Sequence, residues 1–439
     1  MKKIPLLFST MSILVLMMSG CRPSPSPTVT SVSPTATPPL PTSTPTNTPL
    51  PPTKTPTVTP IPPTPTVTPI LPTPTPLPPT DTVCAAGCDF TTIQAAIDAA
   101  DTANGAIIEV TDPIHTEAGI AVNKDVTIRG LGADNTIVQA HETPDEAPER
   151  VFLVEEGATV IFERMTIRHG SPSLQDEGGG GVMNYGTLTL KNCVVGDNTA
   201  NDGAGIYNNG TLTLVNSTVR DNFADGIAPP GYECGSGGGI KSAKGTLMLI
   251  NSTVSGNEAE GKGGGVHISC ACAAVFTNTT ISGNKAASSG GGAFIKGTLQ
   301  LVNCTISKNG TSEKGGGVFV GTGGRLDYVN TIIANNVGGR NCVLGGVGDY
   351  RGEGVIGVNS NNLVGDNTCS ADHSGDPMLG PLADNGGDTL THALLPGSPA
   401  IDAVAAISCT LPTDQRGAPR PVTQESSTTP CDIGAFELQ

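Results

Sequence analysis

The chain has no tryptophan, and its 5 tyrosines and 9 phenylalanines hold aromatics to 3% of 439 residues. Sugar clefts generally present flat aromatic faces to pyranose rings, so a tight glycan cleft is disfavoured. Basic residues are scarce too, 23 Lys and Arg against 39 Asp and Glu. Setting aside Lys2, Lys3, Arg22, Lys54 and Asp81 leaves 19 basic and 38 acidic residues, a formal net charge of −19 for residues 83–439. Such a surface repels nucleic acid and anionic membranes. It also repels acidic polysaccharides unless a cation bridges the two. The 6 histidines are scattered without the spacing of a zinc site, and each is expected at the surface or in a cap. No paired-carboxylate motif for glycoside hydrolysis stands out.

What is present is a repeat. Six times a short apolar stretch leads to Asn, two strand-type residues and a second Asn six residues after the first: Asn192/Asn198, Asn216/Asn222, Asn251/Asn257, Asn278/Asn284, Asn303/Asn309 and Asn330/Asn336. The interval within the phrase is constant while the interval between phrases varies, as stacked units with elastic outer loops require. Amides stacked one above another can hydrogen-bond along such a column, so both Asn columns are assigned a structural role.

Each phrase holds three strand-like runs. The first alternates with period two, as in Gly186 to Leu190 and Gly210 to Leu214; the second is Asn-x-Thr-Ile/Val; the third follows a glycine cluster such as Gly263-Gly264-Gly265-Val266. Glycine at a fixed point of each turn marks a sharp corner. Three strands and three corners predict a triangular coil, and the alternation together with the shortage of helix formers excludes ankyrin-type and helical repeats. Ile93, Ala96, Ile97 and Ala100 fall at helical spacing, followed by a strand at 106–110, which predicts a short helix capping the open first coil. Val126 to Gly130 is assigned to an early coil joined by a long insertion to Glu163 through Gly170.

These motifs resemble the right-handed parallel β-helix superfamily that includes pectate lyases. The pairing of Gly-Gly-Gly-Val with Ile-x-x-Asn is also similar to the repeat of polymorphic outer-membrane proteins, with Ile or Val here where that repeat has Phe. The resemblance covers roughly residues 83–338 and implies an all-β, right-handed parallel β-helix with three strands per coil; its motifs specify fold far more than activity. Past Asn336 the phrase fades. Residues 359–439 instead carry Gly380 to Gly387, Thr391 to Asp402, Asp414-Gln415-Arg416-Gly417 and Cys431 to Glu437. This set resembles the choice-of-anchor Q region at the C-terminal side of bacterial surface β-helix proteins, which gives 339–439 as its own region.

The N-terminus has Lys2 and Lys3, an apolar run from Ile4 to Met18 and then Ser19-Gly20-Cys21. This is the pattern of an export signal over residues 1–20 rather than a membrane span. It is similar to a bacterial lipoprotein signal, with Met18 where that motif usually has Leu, and the similarity implies lipidation of Cys21 and a membrane-anchored, exported protein. Residues 22–82 hold 22 of the 37 prolines and can bury no core. With the lipidated Cys21 they form an extended, disordered stalk over 21–82 that reaches up to ~190 Å at ~3.1 Å per residue. The 12 cysteines of an exported chain point to disulfides: Cys84 with Cys88, Cys342 with Cys369, Cys409 with Cys431, and Cys234 with Cys270 or Cys272. Cys193 and Cys304 share a coil position four coils apart, too far to bond, and are assigned as buried thiols.

Two clusters are candidates for chemistry. Alignment by the Asn positions gives a column Arg129, Arg168, Gly196, Arg220 and next to it Gly130, His169, Asp197, Asp221. Arg168, His169, Asp197 and Asp221 would supply an acid, a base and a cation for polysaccharide cleavage; the competing reading is a solvated turn whose charges pair weakly. Asp145 and Glu146, flanked by Glu142 and Glu149, and Asp176 and Glu177 in the next insertion are the candidate calcium ligands, against the reading of an ordinary solvated charge run. Two functions from different classes follow. One is a monomeric, non-catalytic surface rod for adhesion, envelope structure or weak contact with polysaccharide or another cell surface. The other is a polysaccharide lyase or glycoside hydrolase.

Overall fold

A computed structural model describes residues 80–99, 105–144, 146–173, 178–226, 235–269, 272–345, 353–421 and 429–439. The chain winds as a right-handed parallel β-helix whose sheets run the length of the stack. Among the described residues the first sheet has 11 strands, from Thr80–Val83 to Val355–Ser360; the second has 10, from Ile114–Thr116 to Leu363–Val364; the third has 9, from Ile120–Val122 to Cys342–Leu344. A short fourth ladder of five two-residue strands, Thr199–Ala200 to Gly310–Thr311, fills one corner.

One coil shows how the repeat folds. Thr187–Lys191 alternates outward and inward, burying Leu188 and Leu190 directly below Leu212 and Leu214 of the next coil. Each such leucine contributes roughly 1.5–3 kcal/mol of burial. Asn192 then turns the chain with φ 53°, and the whole first Asn column follows it, from 46° at Asn278 to 53° at Asn192. Asn is among the few side chains that visit this left-handed region readily. Val194–Gly196 forms the second-sheet strand, Asn198 turns inward, and Gly203 opens the corner to the third-sheet strand Ile206–Asn208. Gly203, Gly237, Gly263, Gly290 and Gly315 have φ from 51° to 70°, and a Cβ on any of them would come within 2.5–2.7 Å of the carbonyl three residues on.

The second Asn column is a continuous amide ladder. Nδ2 of Asn198, Asn222, Asn257, Asn284 and Asn309 each donates to Oδ1 of the next member at 2.9 Å, and Asn336 Nδ2 carries the ladder on to Asn341 Oδ1 at 3.0 Å. The backbone N–H of each donates to the same oxygen, and Nδ2 also reaches carbonyls of its own and the preceding coil. A parallel ladder runs through the residue after the first Asn: Cys193 N–H donates to Ser217 Oγ, Ser217 N–H to Ser252 Oγ, and Cys304 N–H to Thr331 Oγ1. Cys193 and Cys304 are the thiol members of this hydroxyl column, buried as expected and free.

The capping helix spans Ile93–Ala99 and buries Ile93, Ala96 and Ile97; Ala100 lies outside the described residues. Its first amides are held by a residue two strands away, Ile93 N–H to Glu117 Oε2 at 2.7 Å and Gln94 N–H to Oε1 at 3.0 Å. The segment between Val126 and Gly170 differs from the expected insertion. It is a full coil: Val126–Arg129 belongs to the first sheet, paired with Val160 to Glu163, while Ile137–Gln139 and Phe152–Val154 supply the second and third sheets. The winding also continues past Asn336, through Cys342–Leu344, Val355–Ser360 and Leu363–Val364.

The C-terminal region lies along the second sheet. Gln415 accepts from Thr280 Oγ1 and donates to Thr253 Oγ1 and Thr389 Oγ1, His392 pairs with Ser282 Oγ at 2.9 Å, and the Ala435 amide donates to Thr305 Oγ1. The strands beneath it, Thr253–Ser255, Thr280–Ser282 and Thr305–Ser307, are buried throughout, whereas Thr166–Arg168 and Thr218–Arg220 keep their outward side chains partly open. Disulfides join Cys84–Cys88, Cys342–Cys369 and Cys409–Cys431 as expected. Cys272 is a buried free thiol, which removes the Cys234–Cys272 option; Cys234 and Cys270 lie outside the described residues.

Candidate functional site

The uncovered part of the second sheet carries the sequence-selected residues. Register puts Arg168 opposite Gly196 and Gly196 opposite Arg220, so the guanidinium column stands as read for these coils. Arg129 does not belong to it. The partner of Arg168 in the preceding coil is Gln139, and Arg129 instead meets Glu163 on the first sheet, at 3.0 Å. The misalignment arose because Val126 to Arg129 and Thr166 to Arg168 carry the same Thr-Ile-Arg string on different sheets.

His169, Asp197 and Asp221 do form one line, on the corner that follows the second sheet. All three have φ between 55° and 57°, and below them the same corner is held by Gly256, Gly283, Lys308 and Asn335, also at positive φ. A left-handed corner favours Gly, Asn, Asp and His, so backbone conformation alone accounts for most of the identities in this column.

The charges of the column engage one another. Arg220 Nη1 lies 2.7 Å from Asp221 Oδ2 and 3.8 Å from Asp197 Oδ2. Gly196 leaves room for this, since a Cβ there would touch the Arg220 stem at 3.4 Å. Arg168 donates Nε and Nη2 to Gln139 Oε1 at 3.0 and 2.8 Å. His169 is 8% exposed, and its Nδ1 lies 3.0 Å from the His141 carbonyl, which fixes Nδ1 as the protonated nitrogen. The arrangement can hold an imidazole and two guanidinium groups in order along the helix axis.

Of the proposed calcium ligands, Asp145, Asp176 and Glu177 lie outside the described residues, as does Cys21. Glu146 is largely exposed, with Oε2 4.0 Å from His141 Nδ1. Among the described residues no group of three or more His, Cys, Asp or Glu side chains is placed to hold a metal ion. The histidines depart from expectation: His115, His169, His267 and His392 are all buried. His267 belongs to an outward column on the third sheet with Tyr207, Lys241, Phe294 and Phe319. Phe294 and Phe319 stack with centroids 5.3 Å apart, and burial together with Lys241, Lys296 and Lys262 depresses His267 well below 6.5. This column went unread because its members share no residue type, only a register.

No family model matches the chain, and no curated protein matches its sequence. Among solved structures it is similar to the pectate lyase Pel9A, at 13% identity over 82% of this chain and 98% of that one with a TM-score of 0.48. It is similar also to XylC in complex with xylose, at 10% identity over 82% and 98% with a TM-score of 0.42. The A-module of the mannuronan C-5 epimerase AlgE4 from Azotobacter vinelandii follows at 16% identity over 62% and 83%, TM-score 0.39. The parallel β-helix itself is given by the ladders of this chain.

Proposed function

We propose that this chain is a bacterial cell-surface protein whose β-helix contacts polysaccharide without cleaving it. In this reading residues 1–20 direct export, Cys21 carries the lipid that anchors the protein, the Pro- and Thr-rich segment lifts the solenoid away from the membrane, and the protein works as a monomer. The C-terminal region is of the choice-of-anchor Q type, and any calcium would bind at Asp145, Glu146, Asp176 and Glu177. The observation that carries the non-catalytic part is the self-neutralised corner. Arg220 contacts both Asp221, at 2.7 Å, and Asp197, at 3.8 Å, and Arg168 donates to Gln139, so at this corner the guanidinium groups are engaged by protein partners. A contact surface is available on the first sheet. Of the fifteen outward side chains on Thr187–Lys191, Thr211–Val215, Thr246–Ile250, Ala273–Thr277 and Thr298–Val302, only Lys191 is charged, and it pairs with Glu163. A flat, hydroxyl-bearing and nearly uncharged face suits a neutral glycan better than an ionic partner.

A second reading, a polysaccharide lyase or hydrolase, is favoured by one detail: His169, its Nδ1 held by the His141 carbonyl, adjoins Asp197 of the next coil, with the His169 amide donating to the Asp197 carbonyl at 3.1 Å. Incubation of the full chain with neutral and acidic polysaccharides, with and without calcium, separates the two. The expected outcome is retention on insoluble polysaccharide with no new reducing or unsaturated ends. Turnover that vanishes in Asp197→Ala and Arg168→Ala proteins would overturn the non-catalytic reading.

A further inference from the structure

The third sheet ends at Cys342–Leu344, and the space where another coil would stack is a cavity of about 740 Å³. Pairing of Val318 with Cys342 places Arg340 where earlier coils have the middle glycine of the corner triplet, Gly264, Gly291 and Gly316. Glycine is needed there because the following coil presses on it: a Cβ on Gly264 would meet the Gly291 carbonyl at 2.6 Å, and one on Gly291 the Gly316 carbonyl at 2.5 Å. Above the last coil that constraint lifts. The position carries the longest cation available, and Arg340 is one of the residues lining the cavity.

Lys314, from the corner one coil below, lines the same cavity. Among the described residues, every other arginine donates to a carboxylate, an amide or a carbonyl: Arg129, Arg150, Arg164, Arg168, Arg220, Arg325, Arg416 and Arg420. Arg340 and Lys314 have no such partner. In a domain of net charge −19, two unpaired cations converging on one cavity are an exception.

The opposite wall is fixed before any ligand arrives. The segment 367–370 is tied to the last strand by the Cys342–Cys369 disulfide, by Cys342 N–H donating to Thr368 Oγ1 at 3.2 Å, and by Tyr328 Oη donating to the Cys369 carbonyl at 2.6 Å. Asp366 is occupied in this bracing, accepting from the Asn341 amide and Thr368 Oγ1, so its charge does not compete for the two cations. The rest of the lining is polar, Asn367 and Ser370, with one carboxylate, Glu313, which accepts from Ser288 Oγ at 3.2 Å.

We propose that this cavity binds a sugar unit carrying one oxyanion group, with Arg340 and Lys314 clamping the oxyanion and Glu313, Asn367 and Ser370 meeting hydroxyls. The volume is that of a small-molecule site and far exceeds a free inorganic anion. A planar guanidinium grips an oxyanion through two parallel N–H donors, and an ammonium adds a second charge. The site goes beyond the polysaccharide-contact reading and lies on a different part of the solenoid, so either can fail alone.

The test is calorimetric titration of the full chain with glucuronate, glucose 6-sulfate, glucose 6-phosphate, glucose and inorganic phosphate. The charged sugars are expected to bind and glucose and inorganic phosphate not to; the three charged sugars tell which oxyanion is preferred. Arg340→Ala is expected to weaken binding roughly tenfold to a hundredfold, and Arg340→Lys by less, because charge is kept but the two-point grip is lost. Lys314→Ala should lower the salt dependence as well as the affinity. Both side chains are exposed, so circular dichroism of the variants is expected to match the parent. Equal binding of glucose and glucuronate, binding unchanged in Arg340→Ala, or no binding of any charged sugar would overturn the assignment. Retention on neutral polysaccharide should be the same in Arg340→Ala as in the parent, which keeps this outcome separate from the first-sheet contact.

Discussion

Two columns of identical residues have opposite requirements, and substituting one member of each measures the difference. Asn284 is fully buried. Its Oδ1 accepts from the Asn257 amide at 3.0 Å and from Asn257 Nδ2 at 2.9 Å; its Nδ2 donates to Val254 O and Asn309 Oδ1, both at 2.9 Å. Asn284→Ala removes all four and leaves the Asn257 N–H buried without an acceptor. An orphaned buried donor costs about 1–3 kcal/mol and each lost bond about 0.5–1.5 net, so the loss should be about 3–5 kcal/mol. Asn284→Asp is nearly isosteric yet should be at least as damaging, because one carboxylate oxygen must face the Val254 carbonyl and Asn309 Oδ1 and a charge is buried. Asn192, the exposed member of the first column, serves through its φ of 53°. Asn192→Gly should therefore be within a few tenths of a kcal/mol of the parent, and Asn192→Ala should lose about 1–2. Urea unfolding of the four proteins gives these numbers. An Asn284→Ala protein within about 1 kcal/mol of the parent, or Asn192→Ala losing as much as Asn284→Ala, would refute the account of the two columns.

Gln415 is the hinge pin between the C-terminal region and the solenoid; Gln415→Ala should raise hydrogen exchange in strands 253–255 and 280–282 while leaving the first sheet protected, as its bonds to Thr253, Thr280 and Thr389 are lost. Glu117 is desolvated by burial, but the His115 imidazole and the Gln94 and Ile93 amides outweigh that and lower it below 4.5. Its contribution to docking the capping helix is thus present above about pH 4.5 and lost as pH falls through the depressed folded value; amide exchange of residues 93–99 should rise on acidification in the parent and be high at all pH values in Glu117→Ala. Burial pushes the Cys193 and Cys304 thiols up to about 12, so neither should be alkylated at pH 8 in the folded protein and both should react in urea, as read by mass spectrometry.

The fold was legible because a solenoid writes the same constraint many times. Six Asn pairs at a fixed interval, the alternation of Thr187-Leu188-Thr189-Leu190, and glycine clusters ahead of each third strand all survive in the structure as ladders, inward leucines and left-handed corners. Reading failed where a coil lacked the phrase. The coil from Val126 to Val154 has no Asn pair, so Thr127-Ile128-Arg129 was matched to Thr166-Ile167-Arg168 on a different sheet. The docking of the C-terminal region was invisible for another reason. Its contacts are hydrogen bonds between residues far apart in sequence, such as Ser282 with His392, and an apolar cluster that joins Ile332, Ala334 and Leu363 to Leu394, Ile433 and Phe436, and periodicity carries no information about either.

The same logic decides what the column of His169, Asp197 and Asp221 can say about chemistry. A residue is evidence of function when structure would be content with something else. At this corner the backbone demands a left-handed residue, and Gly256, Gly283, Lys308 and Asn335 meet that demand further along without forming any titratable line. Asp and His there are therefore weak witnesses, and their engagement with Arg220 and the His141 carbonyl weakens them further. Arg340 is the converse. At its position earlier coils hold glycine under close contact from the next coil, and nothing in the backbone of the last coil asks for a guanidinium. Its lack of an internal partner, beside Lys314 and a wall fixed by a disulfide, makes it the better place in this molecule to look for a ligand.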